Sequence, residues 1–216
     1  LLVQFAFLPT DTVEIRSQEL IVARDVLEIA VFCSIEAKDV KAFERNMAQL
    51  MPYYFDYRNY CPESSFKYQI LGLNLLFLLS ENRVAEFHTQ LELIPVEDLN
   101  NLYIKHPLSL EQYLMEGCYN KIFMAKANVP SPYYNFFMDS LVETTRNEIA
   151  NCIDKAFEKI ALDELAKMLY MRGDVTLNDF IKKKQWVVGK DNCVHLKQHV
   201  EKEQKRLPTF DLAEKT

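Results

Sequence analysis

The side chains able to do chemistry are few and scattered in this 216-residue chain. Its five cysteines are Cys33, Cys61, Cys118, Cys152 and Cys193, and its four histidines are His88, His106, His195 and His199. A nucleophilic cysteine needs a neighbouring base or cation to hold the thiolate. Cys33, Cys118 and Cys152 fall on apolar helical stripes and read as small buried hydrophobes. Cys61 and Cys193 read as more exposed, with no base evident beside either. An odd number of widely spaced cysteines without C-x-x-C fits free thiols in a reducing compartment. His195 and His199 stand four apart, near Cys193, at a spacing that could share a metal. His195 falls at a strand end, however, and no fourth ligand is evident, so surface imidazoles are expected rather than a zinc site.

Other chemistries are missing their residues. A phosphate cradle needs clustered glycines so that backbone amides approach the anion. The four glycines, Gly72, Gly117, Gly173 and Gly189, are far apart. G-x-S-x-G, H-E-x-x-H and H-x-H do not occur. Carboxylate pairs such as Asp163–Glu164 read as solvated helix faces. The expectation is therefore no catalytic residue, no metal and no cofactor.

Two features suit binding instead. Lys182, Lys183 and Lys184 form a basic run on a helix that a DNA-reading winged helix would place in the major groove. Over residues 144–199 Lys and Arg only slightly outnumber Asp and Glu, and the whole chain carries a net charge of −6. That is a weak footprint for phosphate binding, so no nucleic-acid partner is expected. Trp186 has two readings: a core anchor for a hairpin, or an interface anchor.

The elements that would position these residues are mostly helices. Hydrophobic residues make up 49% of the chain, including 14 Phe and 11 Tyr, enough for a large buried core. Leu20, Ile21, Ala23, Val26, Leu27, Ile29 and Ala30 recur at helical spacing, with Ser17 as N-cap of a helix to Cys33. Asp39 caps a second helix carrying Phe43, Met47 and Leu50. Pro62 opens a third that runs to Leu79 and is apolar almost all round, so it belongs in the middle of a stack. That uncharged run, Tyr68 to Ser80, is shorter than the roughly 20 residues a membrane span needs. The opening residues lack the basic region and cleavage site of a secretory signal.

A fourth helix covers Arg83–Leu93, and Pro95 breaks the chain. A fifth spans Pro107 to Ala127, and Ser131-Pro132 caps a sixth. Near residue 144 the pattern changes. A helix over Thr145–Lys159 leads to a short one at Leu162–Tyr170, a turn at MRGDV, and a helix opened by the capping-box-like Thr176…Asp179. Two β-prone runs around Gly-Lys-Asp-Asn then make a hairpin. The reading is a mainly α chain. A right-handed, TPR-like helical-repeat array over 1–143 is followed by a winged-helix subdomain with a small β-hairpin over 144–197. A polar tail over 198–216 leads to an incomplete helix that Thr209 or Asp211 would cap.

Long runs carry a more specific likeness. VARDVLEIA (22–30), FERNMAQLMPYYFDYR (43–58), LGLNLLFLLSENRVAEFHTQLELIP (71–95) and YIKHPLSLEQYLMEGCYNKIF (103–123) resemble the PCI-domain family. Within it they resemble the non-ATPase regulatory subunits of the 26S proteasome lid. NEIANCIDKAFEKI (147–160) and KKKQWVVG (182–189) extend the likeness. It implies a non-catalytic scaffold, present in cytoplasm and nucleus, that serves lid assembly and so ubiquitin-dependent degradation. The implied partners are other lid subunits, met through PCI–PCI contacts and a C-terminal helical bundle. The resemblance implies N-terminal helices and a final helix beyond those legible here. The signalosome and eukaryotic initiation factor three share the architecture. A wing that adds strands to a neighbour must present unpaired backbone groups. Trp186, Val187 and Val188, and Cys193, Val194, His195 and Leu196, are the residues expected to bind partners.

Overall fold

The computed structural model describes residues 17–58, 61–171, 174–189 and 193–196. The chain divides into two compact units, with the division inside a helix between Thr145 and Arg146.

The first unit holds α1 (Ser17–Glu36), α2 (Val40–Phe55), α3 (Lys67–Ser80), α4 (Val84–Glu92), α5 (Leu102–Met115), α6 (Tyr119–Ala125) and the start of α7 (Tyr134–Ala156). α1 packs on α2, α3 on α4 and α5, and α5 on α6. Asp39 caps α2 as its sequence suggests, accepting from the Ala42 amide at 3.1 Å. α3 is buried from Ile70 through Ser80, as expected of a central helix. Phe43, Phe77 and Phe137 meet with ring centroids 4.9–5.7 Å apart at the heart of this unit.

Several helix boundaries depart from the sequence expectation, each for a tertiary reason. α3 starts at Lys67, not at Pro62. The stretch before it is held by α1 instead: the Arg24 guanidinium donates to the Pro62 carbonyl, and Ser64 Oγ donates to Glu28 Oε2 at 2.9 Å. Glu28 is itself buried and also accepts from the Tyr54 hydroxyl at 2.8 Å. The expected fifth helix is two, α5 and α6, and α5 begins before Pro107 rather than at it. α7 starts at Tyr134, whose amide donates to the Ser131 carbonyl at 3.1 Å, and the Ser131 hydroxyl accepts from Gln69 Nε2 at 3.0 Å. The sixth helix and the one expected over Thr145–Lys159 are a single helix, α7, which runs through residue 144. Thr145 Oγ1 bonds the Leu141 carbonyl at 2.8 Å, so its hydroxyl is satisfied inside the helix.

Five of the helices end alike. α1, α3, α5, α8 (Leu162–Met168) and α9 (Asp174–Lys184) each end with one residue in the left-handed region: Lys38, Asn82, Gly117, Tyr170 and Gln185, at φ 51–69°. In each case the next amide reaches back to the last turn, as in Cys118 N–H to the Tyr113 carbonyl at 2.8 Å and Trp186 N–H to Ile181 at 3.1 Å. This six-to-one bond satisfies a carbonyl that the helix leaves open. With so few glycines, most of these turns are made by residues that have a Cβ.

The second unit holds the end of α7, then β1 (Lys159–Ala161), α8, α9, β2 (Val187–Val188) and β3 (Cys193–His195). α9 starts at Asp174, ahead of the expected Thr176, whose side chain lies outside the described residues, as do Gly173 and residues 190–192 of the hairpin turn. The tail beyond Leu196, with His199, Thr209 and Asp211, and the side chain of Ser17 also lie outside them. The sheet has three antiparallel strands in the order β1-β3-β2, not the two of a lone hairpin. Ile160 faces Val194 in one pairing and Val188 faces Val194 in the other.

Candidate interaction surface

Trp186 precedes β2 and is 6% exposed. Its indole Nε1 donates to Asp154 Oδ1 of α7 at 2.7 Å, and its ring meets Phe180 of α9 edge to face at 6.1 Å. Of its two sequence readings the geometry matches the core anchor. Val194 and Leu196 are buried as well, at 0% and 6% exposure. Cys193 is half-buried and His195 exposed.

β3 therefore lies between two strands and offers no free side. Of the two runs read as edges, only Val187–Val188 borders an open one among the described residues. The ladder phase identifies the groups that face outward. Gly189 N–H donates to the Cys193 carbonyl at 2.8 Å, which makes that pair a hydrogen-bonded one. Along an antiparallel ladder such pairs alternate with non-bonded ones. Val188 opposite Val194 is thus a non-bonded pair, and the Val188 amide and carbonyl point away from β3. The Leu196 amide, bonded to the Glu158 carbonyl at 3.0 Å, sets the same phase on the other side.

Both side chains of β2 are exposed, Val187 at 65% and Val188 at 44%. Successive residues of a strand face opposite ways, so apolar surface appears on both faces of this edge. β1 could not be found from its sequence because K-I-A continues the helical periodicity of α7. Only its pairing with β3 makes it a strand.

Three of the thiols, Cys33, Cys61 and Cys152, reverse the sequence expectation. Cys33 and Cys152 are exposed, Cys118 sits in the α5–α6 turn, and Cys61 is buried, its thiol pushed up chiefly by burial. The stripes of α1 and α7 are wider than the faces those helices bury. His88 lies 3.5 Å from Glu111. Lys182 and Lys183 are exposed, and Lys184 donates to Asn151 Oδ1 at 3.2 Å. Among the described residues no group of three or more His, Cys, Asp or Glu is placed to hold a metal, and no helix is long and apolar enough to cross a membrane.

The profile of the CSN8/PSMD8/EIF3K family matches residues 65–206. The chain belongs to the CSN8/PSMD8/EIF3K family. The family match takes in α3 to α6, all of α7 and every strand of the sheet. Among curated members of this kind, the chain is 41% identical over 202 residues to the 26S proteasome non-ATPase regulatory subunit 8 homolog A of Arabidopsis thaliana, covering 93% of this chain and 76% of that protein. It is 36% identical over 171 residues to the 26S proteasome non-ATPase regulatory subunit 8 of Caenorhabditis elegans, covering 78% and 67%. It is also 36% identical over 185 residues to the 26S proteasome regulatory subunit rpn12 of Schizosaccharomyces pombe, covering 85% and 66%. These relatives are named as regulatory subunits, two of them as non-ATPase subunits.

Proposed function

We propose that this chain is a non-catalytic structural subunit of the 26S proteasome regulatory particle lid, acting through assembly in ubiquitin-dependent degradation. The names of its relatives support the complex. The observation that carries the mechanism is the open edge of β2, where the Val188 amide and carbonyl face outward between two exposed valines. A neighbour's strand added there gains main-chain hydrogen bonds and covers apolar surface together.

In this reading α8, α9 and the three strands form the winged helix of a PCI domain, the helices before them form a right-handed TPR-like array, and the wing makes PCI–PCI contacts. The proposed domains are 1–143, 144–197 and a tail over 198–216 that leads into a lid helical bundle. The protein acts in cytoplasm and nucleus and binds no nucleic acid. Trp186, Val194 and Leu196 hold the wing from within, while Val187 and Val188 meet the partner.

The test is affinity purification of the tagged full-length protein. Stoichiometric recovery of proteasome lid subunits is expected. Recovery of signalosome or initiation-factor subunits, the other branches of this family, would move the proposal to them. Recovery of no such complex would overturn it.

A further inference from the structure

In the first unit, the groove between α5 and α6 holds a pocket of about 410 Å³. We propose that this pocket docks an acidic, apolar segment of a partner protein, an apolar anchor entering it while flanking carboxylates pair with Lys105 and Lys121. This goes beyond the assembly reading and does not depend on which complex the protein joins.

The pocket is built by two helix faces at helical spacing. Leu102, Lys105 and Tyr113 line it from α5, and Lys121 and Met124 from α6. Its lips are apolar and uncovered: Leu102 is 65% exposed and Met124 73%. Methionine adapts its shape to the surface it meets, which suits a docking lip. The volume falls in the range of ligand pockets, a few hundred Å³.

Charge chooses the occupant. Both lysines are exposed, and Lys121 is held with Nζ 4.8 Å from the Tyr113 ring centroid, so one cation is already placed over the groove. No carboxylate lines the pocket. Glu111, 3.5 Å from His88, and Glu116, which follows α5 and accepts from Gln112 at 2.8 Å, do not line it. The chain as a whole is acidic, at −6, so this groove is a local basic island and a generic cation surface does not account for it. A basic partner is repelled here, while an acidic one is steered in.

His106 adds a third observation. It lines the same pocket, and neither ring nitrogen makes a hydrogen bond of good geometry although both are buried. Buried polar groups without partners cost free energy and are uncommon. A polar group on the bound segment would give that ring a partner.

The experiment uses the full chain and two pools of fluorescein-labelled 15-residue peptides. Both pools carry Leu, Ile or Phe at helical spacing; one has Glu at the flanking positions and the other Lys. Saturable anisotropy change is expected with the Glu pool, at least ten-fold tighter than with the Lys pool. The double variant Lys105→Glu/Lys121→Glu should reverse that preference, and Met124→Asp should weaken Glu-pool binding ten-fold, with circular dichroism unchanged. Val187→Asp should leave peptide binding as it is, which separates this site from the β2 edge. Absence of saturable binding, equal binding of the two pools, or indifference to these variants would overturn the proposal.

Discussion

The Tyr134 hydroxyl of α7 lies 3.2 Å from the Tyr103 carbonyl of α5, a carbonyl that α5 itself leaves open. Residue 107, which would donate to it in a regular helix, is Pro107 and has no amide hydrogen. The single hydroxyl hydrogen of Tyr134, from another helix, stands in part for the amide that the proline inside α5 lacks. The same hydroxyl lies 3.2 Å from the Gln69 carbonyl of α3, so three helices meet at one oxygen. Tyr134 is fully buried, and burial pushes its phenol well above the ordinary range, which keeps it a donor. Tyr134→Phe should therefore cost about 1–3 kcal/mol, the range for orphaning a buried acceptor. Pro107→Ala returns an amide to the Tyr103 carbonyl, so the same Tyr134→Phe change should cost less in that background. A double-mutant cycle on urea midpoints reads this coupling; equal costs in both backgrounds would reject it.

Gly72 sits beside that junction. A Cβ there would collide with the Tyr134 hydroxyl oxygen and the Tyr103 carbonyl oxygen. Close helix contact, not a turn, demands this glycine. Gly72→Ala should destabilise the first unit by about 1–3 kcal/mol through overpacking, despite alanine's better helix propensity. A raised melting temperature would contradict the packing account.

Trp186 is the only tryptophan, so its fluorescence reports on the second unit alone. Asp154→Ala removes the acceptor of its indole N–H. The expected effect is a loss of about 1–3 kcal/mol, the range for a buried donor left unpaired or a bond to a charged group. It should be seen as an earlier urea midpoint of tryptophan emission. An unchanged midpoint would show that the bond contributes nothing net.

The outward amide of Val188 can be removed without touching the sheet's own bonds. Val188→Pro should keep the fold to within about 1 kcal/mol, since proline is accepted at an edge strand whose N–H faces away. Its effect on co-purification of partners should match that of Val187→Asp, which introduces charge. If Val188→Pro unfolds the second unit by circular dichroism, the ladder phase assigned to β2 is wrong.

His106 gives a pH dependence of known sign. Burial lowers its pKa below 6.5, with the Ala125 backbone opposing that in part. The unfolded chain therefore binds a proton that the folded chain resists. The stability it contributes is full above pH 6.5 and falls as pH drops below 6.5 toward the folded value. Comparing urea midpoints at pH 7.5 and 5.5, the native chain should lose more than His106→Gln. Equal losses would place the titration elsewhere.

Lys38 ends α1 at φ 56° with its side chain exposed. Lys38→Gly relieves a left-handed conformation that costs a Cβ-bearing residue about 1–2 kcal/mol, less the entropy glycine adds to the unfolded chain. A net gain of up to about 1 kcal/mol in chemical denaturation is expected.

The sequence by itself determined the elements that rest on local pattern. Leu20 to Ala30 and Phe43 to Leu50 form helices because their apolar residues recur at helical spacing, Ile70 to Leu79 is a helix apolar almost all round, and Asp39 caps α2 because its carboxylate needs only the next turn. The Val187–Val188 and Cys193–His195 strands follow from short β-prone runs on either side of a turn. The long resembling runs gave the family for the same reason: they are contiguous. The tertiary structure decided whatever depended on residues far apart along the chain. Lys159–Ala161 became a strand because β3 lies beside it, which put β3 in the middle and made β1 and β2 the two edge strands. Pro62 does not open α3, and Arg24 holds its carbonyl; the Ser131 hydroxyl meets the distant Gln69 side chain. Pro107 sits inside a helix, and Tyr134 answers in part for its missing hydrogen. Periodicity encodes which face of an element is apolar; it does not encode which distant donor meets which open carbonyl, and that pairing fixes where the elements begin, end and remain open.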